Sequence, residues 1–279
     1  MKKYFTIIMC IVFLSISNIL ISFCYAAIPE TERDALIDLY NNTNGPEWSI
    51  NDGWLGDVGT ECSWYGVLCD EKHVIKLDLL YNELKGIVPT SIGNLVNLTY
   101  LDLSNNQLSS LPESVGFLVN LSDFILANNQ FSSLPETIGN LVNLTYFDLS
   151  ENQLSSLPES VGYLVNLSDL FLANNQLSSL PETIGNLVSL TYLDLSVNRL
   201  SSLPVSFGDI INLEYLYLDN NQLSSLPESV GFLVNLSDFI LANNQLSSLP
   251  ETIGNLVNLT YFDLGVNRLS SLPESFGNI

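Results

Sequence analysis

Few side chains in this sequence are of the kinds that make or break bonds. There is one histidine, His73, and there are four cysteines. A Ser-His-Asp relay needs an imidazole beside a hydroxyl and a carboxylate, and His73 offers no such set. No glycine-rich phosphate loop is present. Cys62 and Cys69 with His73 would give zinc at most three ligands, short of a closed structural shell. No metal and no other cofactor is therefore expected. Adjacent carboxylates such as Asp78 and Asp102 have the residue types of a glycosidase pair. The repeat pattern described below puts them on an open face, where nothing excludes water or raises a pKa. The sequence points away from an enzyme and toward binding.

The residue types suited to binding are tyrosine and aspartate. Tyr offers a large contact area with few rotors and a hydroxyl, and Asp pairs with basic groups. Between Leu190 and Asn235 these types gather: Tyr192, Tyr215 and Tyr217 with Asp194, Asp219 and Glu214, and with Arg199 in place of the usual Gln. Binding hot spots favour Tyr and Arg, so Tyr192, Asp194, Arg199, Tyr215, Tyr217 and Asp219 are the candidate ligand-binding residues.

What must position them is a repeat. From Leu98 the chain recurs every 23 residues, with units opening at Leu121, Leu144, Leu167, Leu190, Leu213, Leu236 and Leu259, after a 24-residue unit from Val74. In Leu98-Thr-Tyr-Leu-Asp-Leu the alternation predicts a strand, too short to stand alone but stable when stacked in register into a parallel sheet. Nine such strands at about 4.8 Å give an inner face roughly 40 Å long. Leu98, Leu101, Leu103 and Leu108 are expected inside. The residues flanking the middle leucine face out in two rows. One runs Lys76, Tyr100, Asp123, Tyr146, Asp169, Tyr192, Tyr215, Asp238, Tyr261. The other runs Asp78, Asp102, Ile125, Asp148, Phe171, Asp194, Tyr217, Ile240, Asp263. This checkerboard has two readings. Alternation keeps like charges from stacking, and much of it is duplication, since Leu121–Asn143 and Leu236–Asn258 differ only at Phe131 against Leu246. The other reading is recognition.

An asparagine recurs after each strand, from Asn82 and Asn106 to Asn267. Stacked, these form a ladder whose amides satisfy buried backbone groups of the next unit. The return half carries Leu-Pro-Glu-x-x-Gly. Pro112 is expected to open a helical turn, Glu113 to suit its positive end and Gly116 to stop it. Bulky turns outside and strands inside predict curvature.

The segment ahead of the repeats must cover the first exposed leucines. Thr31 with Asp34 reads as a capping box, and Ala35, Leu36, Leu39 and Tyr40 as the apolar stripe of a helix. Trp48, Trp54 and Trp64 either pack this cap or face a sugar, and packing is the expectation.

The pattern LxxLxLxxNxL from Val74 onward resembles the leucine-rich-repeat family. The unit containing Leu84-Lys-Gly86-Ile-Val-Pro89 is similar to its plant-type extracellular class. Cys62-Ser-Trp64-Tyr-Gly66-Val-Leu-Cys69 stands where that class keeps a Cys-x-Trp-x-Gly-Val-x-Cys motif in its N-terminal cap. The resemblance implies an α/β repeat solenoid: a curved horseshoe with a parallel inner sheet, short helical turns outside and ligands on the concave face. The expected organisation is a signal peptide over 1–26, a cap over 27–73 and nine repeats over 74–279, the last incomplete.

Export is read from the N-terminus. Lys2 and Lys3 precede an apolar run, Ile7 to Ile21, and Cys24-Tyr-Ala26 supplies a cleavage site. Cleavage would leave Cys62 and Cys69 as an even pair in an oxidising compartment, hence a disulfide. No later run is long enough to span a membrane, so a secreted or cell-surface location is expected. The formal charge is −22 with only 14% charged residues. That argues against nucleic acid, whose binding rests on Lys and Arg, and against anionic lipid. A protein ligand, preferably basic, or a polysaccharide is the expected partner. Three functions fit: a secreted recognition protein, the ectodomain of a longer receptor, or an adhesive surface protein.

Overall fold

The computed structural model describes residues 27–279; the expected signal peptide lies outside them. The described chain opens with the helix Glu30–Asn42, which buries Ala35, Leu36, Leu39 and Tyr40. Its N-terminal carbonyl belongs to Pro29, which accepts from Glu32 N and Arg33 N at 3.0 and 3.1 Å. No side chain caps the N-terminus of the helix. The capping box read at Thr31 and Asp34 is thus corrected: both residues lie inside the helix. Glu32 turns inward instead. It is 2% exposed, accepts from Val74 N at 2.8 Å and lies 2.7 Å from His73 Nδ1. The single histidine therefore fastens the cap helix to the first repeat. Arg33 pairs with buried Glu61 within the cap.

The tryptophans pack the cap. Trp48, Trp54 and Trp64 are buried, with ring centroids 4.8 and 5.2 Å apart in succession. Trp48 Nε1 donates to Thr43 O and Trp54 Nε1 to Tyr65 O, each at 3.0 Å. Their polar atoms are used internally, so no sugar platform remains. Cys62 and Cys69 are joined in a disulfide, Cα to Cα 5.4 Å. It ties the turn Glu61–Ser63 to a short strand, Val67–Cys69.

That strand was not legible from the pattern. It runs antiparallel to Val74–Asp78 and begins a ten-stranded sheet. Covering the first edge in this way removes a row of unpaired backbone groups. The other strands follow in chain order, parallel and in register, from Tyr100–Asp102 to Tyr261–Asp263. Behind them the repeat leucines form one continuous core. Phenylalanines stack within it, Phe124 on Phe147 and Phe239 on Phe262, each pair 5.4 Å apart.

The asparagine ladder forms as expected. Asn175 Nδ2 donates to Leu149 O of the preceding repeat at 2.9 Å and to Leu172 O at 3.1 Å. Its Oδ1 accepts from Leu154 N at 3.0 Å. The residue before each rung has a left-handed backbone, most often Asn, as at Asn105 and Asn174, but Tyr at 81, Glu at 151 and Val at 197 and 266, the last two with φ 53°.

The outer face is built of single 3₁₀ turns such as Glu113–Phe117. Here the roles expected of Pro and Gly change. Pro112 is extended, φ −78° and ψ 158°, and stands just before the turn. Gly116 lies within the turn, not after it. A Cβ there would sit 2.6 Å from Thr137 Cβ and Thr137 O. Gly is required by the close approach of neighbouring turns, which lets the outer face stack at the narrow pitch of the sheet.

Candidate functional site

Short strands with alternating side chains fix what the sheet presents. Leu170, Leu193 and Leu216 point into the core and are buried. Their neighbours point to the open side. Across strands, Tyr192 stands opposite Tyr215, and Asp194 opposite Tyr217. On the other side Tyr192 is opposite Asp169, and Asp194 opposite Phe171.

The aromatic residues meet. Tyr146 lies 5.2 Å from Phe171, and Phe171 4.8 Å from Tyr192. Tyr192 lies 5.9 Å from Tyr215 and 5.3 Å, edge-on, from Tyr217. Five rings thus run unbroken across four strands, at distances where aromatic pairs attract. Sequence reasoning singled out three of them. Tyr146 and Phe171 were missed as members because the slip in the pattern was placed at Leu190. The signal was one residue earlier in the rows: Phe171 occupies the place that Ile125 and Ile240 hold in the copied block.

Carboxylates border this strip. Asp194 is half-buried, and burial raises its pKa, with Asp219 and Asp148 adding to the rise. The bonds from Ser196, whose N donates to Asp194 Oδ1 at 2.9 Å, oppose the shift without cancelling it. Tyr192, Tyr146 and Tyr217 also have raised pKa values, first through burial and then through neighbouring aspartates. The phenols therefore stay protonated and available as donors. Tyr100, nearer the cap, is pushed up to about 12 by burial and by Asp102 and Asp78.

The candidate residues divide. Tyr192, Asp194, Tyr215 and Tyr217 come together on two adjacent strands. Asp219 lies two residues past Tyr217, half-buried, and accepts from Asn220 Nδ2 at 2.6 Å. Arg199 does not join them. It stands past the Asn198 rung, exposed, with its backbone N bonded to Leu177 O at 2.9 Å. The turn that the ladder imposes carries it off the strand, to the flank. Among the described residues, no group of three or more His, Cys, Asp or Glu is placed to hold a metal ion, and no helix is long and apolar enough to cross a membrane.

A family model for a leucine-rich repeat region matches residues 70–170, and one for the leucine rich repeat matches 142–200, 166–223 and 211–269. The chain belongs to the leucine-rich-repeat family. Receptor-like protein 47 of Arabidopsis thaliana is 32% identical over 110 residues, 37% of this chain and 14% of that protein. The match thus spans a small part of the curated relative. The Arabidopsis receptor kinase HAESA, solved with a peptide hormone and a co-receptor, is 32% identical over 90% of this chain and 44% of that one, TM-score 0.76. A plant ice-binding protein is 27% identical over 88% of both chains, TM-score 0.63. The leucine-rich-repeat scaffold of this chain is thus similar to that of plant receptor ectodomains.

Proposed function

We propose that this chain is a secreted or cell-surface recognition module. It holds a protein ligand on its concave face at Tyr192, Asp194, Tyr215, Tyr217 and Asp219, extended by Tyr146 and Phe171. One observation carries the reading. Five contiguous rings lie on an open sheet face and are bordered by carboxylates, whereas a sheet that only needed solubility would favour scattered polar residues. The relatives are receptor-like proteins, and a structural neighbour was solved with a peptide hormone. The proposed organisation remains a leader over 1–26, a cap over 27–73 and repeats over 74–279, either secreted as such or carried as the ectodomain of a longer receptor. The net charge of −22 favours a basic protein, steered by the field of the face, over a polysaccharide.

The test is capture from the secreted proteins of the source with immobilised chain. A binder should be kept by wild type and by Tyr261→Ala but lost by Tyr215→Ala with Tyr217→Ala, with unfolding midpoints unchanged. A binder kept by the double variant refutes the site.

A second reading is favoured by a different surface. Eight Ser-Ser pairs, from Ser109-Ser110 to Ser270-Ser271, are all exposed, one pair per repeat. They make a regular, charge-free array of hydroxyls on the flank, and a plant ice-binding protein shares the fold over most of both chains. On this reading the flank adheres to an ordered surface such as ice. Inhibition of ice recrystallisation that survives the tyrosine variants but is lost when Ser178 and Ser201 become Lys would support it; no inhibition by wild type would dismiss it.

A further inference from the structure

One cation lies on the concave face, and its setting is informative. Lys76 Nζ stands 3.9 Å from the centroid of the Tyr100 ring and 3.1 Å from Asp78 Oδ2. The geometry follows from register. Lys76 is opposite Tyr100, and Asp78 lies two residues further along its own strand. The seat therefore consists of an acid on one strand and a tyrosine diagonally across on the next. The ammonium gains both the ring quadrupole and the carboxylate.

The same diagonal can be sought along the whole face. It needs Asp in the second row of one repeat and Tyr in the first row of the next. The copied block never makes it: Asp102 is followed by Asp123, Ile125 by Tyr146, Asp148 by Asp169, Phe171 by Tyr192, Tyr217 by Asp238 and Ile240 by Tyr261. The diagonal occurs at Asp78 with Tyr100, and again at Asp194 with Tyr215. The slip in the pattern after Leu190 is what creates the second. There the place of Lys76 is taken by Tyr192, which adds a ring in place of a charge. The place of Asp102 is taken by Tyr217. Among the described residues, the ion pairs are Arg33–Glu61, His73–Glu32 and Lys76–Asp78, so Asp194 has no cation of its own.

We propose that Tyr192, Asp194, Tyr215 and Tyr217 form a seat for a lysine or arginine side chain of a peptide ligand, placed as the chain's own Lys76 is placed by Asp78 and Tyr100. The inference rests on the concave-face reading and specifies the ligand chemistry. Three rings surround one carboxylate, and further acids, Asp219, Asp148 and Asp169, lie nearby. Burial already disfavours the charge on Asp194, so an arriving cation relieves a cost that the free protein carries. A neutral sugar would use the rings but would leave that carboxylate without a counter-charge.

The probe is a capped peptide of Gly and Ser with two lysines, against the same peptide with both lysines acetylated. Tyrosine ring signals are followed by NMR. The lysine peptide should shift Tyr192, Tyr215 and Tyr217, and the acetylated one should bind at least about tenfold more weakly, the loss expected when a desolvated cation–π contact and its carboxylate are removed together. Asp194→Asn should give a similar loss. Tyr192→Lys should fill the seat from within, abolish the shifts and lower the titration midpoint of Asp194, reproducing the arrangement at Lys76. Equal binding of the acetylated peptide, or an unmoved Asp194 midpoint in Tyr192→Lys, overturns the proposal. The two readings fail differently. If a captured natural binder is lost on Tyr215→Ala with Tyr217→Ala yet indifferent to Asp194→Asn, the concave site stands and the cation seat falls. If both variants are neutral, both fall.

Discussion

Asn175→Ala should be among the most damaging single changes in the solenoid, although the residue touches no ligand. Its amide links two successive repeats: Nδ2 donates to Leu149 O of the preceding repeat and to Leu172 O and Ala173 O of its own, and Oδ1 accepts from Leu154 N. Asn175 is buried. Removing the amide orphans one buried N–H and leaves three carbonyls without their side-chain donor. Each orphaned buried group costs about 1–3 kcal/mol, and a water entering the hole left by the amide can serve part of the set. A net loss of about 3 kcal/mol or more is therefore expected. The control is Asn267→Ala. That rung makes the corresponding bonds, to Leu241 O, Leu264 O, Gly265 O and Leu246 N, but it is only partly buried, so solvent replaces much of what is lost and about 1 kcal/mol is expected. Urea unfolding followed by circular dichroism and by tyrosine fluorescence measures both, with coincident curves licensing the free energies. A loss below about 1 kcal/mol at Asn175, or a loss no larger than at Asn267, would refute the view that the ladder holds the repeats together.

Val197→Asn should stabilise the protein. Val197 has φ 53°, where five other repeats place Asn, at 105, 128, 174, 220 and 243. A left-handed backbone costs an ordinary side chain roughly 1–2 kcal/mol, so a rise in Tm of about 2–8 °C is expected; an unchanged or lower Tm counts against stored strain there. Asp194→Asn should also be more stable than wild type at pH 7. The folded pKa of Asp194 is raised above its ordinary value of 3.8, so its charge opposes folding above the folded pKa, and that penalty disappears as pH falls below 3.8. The difference between variant and wild type should therefore close on acidification, and a gap that widens would reverse the sign of the argument. Six sequons, at Asn97, Asn120, Asn143, Asn166, Asn235 and Asn258, share one place in the repeat. Asn120, Asn143 and Asn166 donate through Nδ2 to Val96 O, Val119 O and Val142 O. Stacked about 4.8 Å apart, the first four leave no room for a glycan on each. Intact mass after secretion from a eukaryotic host should show fewer glycans than sequons, and full occupancy would contradict that stacking.

Much of this protein was legible without coordinates, because a repeat states its own geometry. A 23-residue period with LxxLxL fixes a strand, stacking in register fixes the sheet, and an asparagine in the same place in successive units can only be a ladder. The candidate face followed, since side chains alternate along a strand. What the sequence did not determine were contacts with no period. The strand Val67–Cys69 pairs with Val74–Asp78 in reverse direction, and nothing in its composition distinguishes it from a loop. Glu32 reads as one more acid at a helix start, yet it is buried because His73 and Val74 N arrive from 41 and 42 residues away. Gly116 reads as a helix stop, but the stacking of outer turns is what requires it. Arg199 belonged to the candidate set by proximity along the chain, and the ladder turn removed it. Tyr146 and Phe171 joined the set by the reverse route. They sit on separate strands 25 residues apart, and register alone brings their rings to 5.2 Å. The rows of the repeat say which residues face the same side; which of them touch depends on diagonal neighbours between strands, and that is set by the tertiary structure.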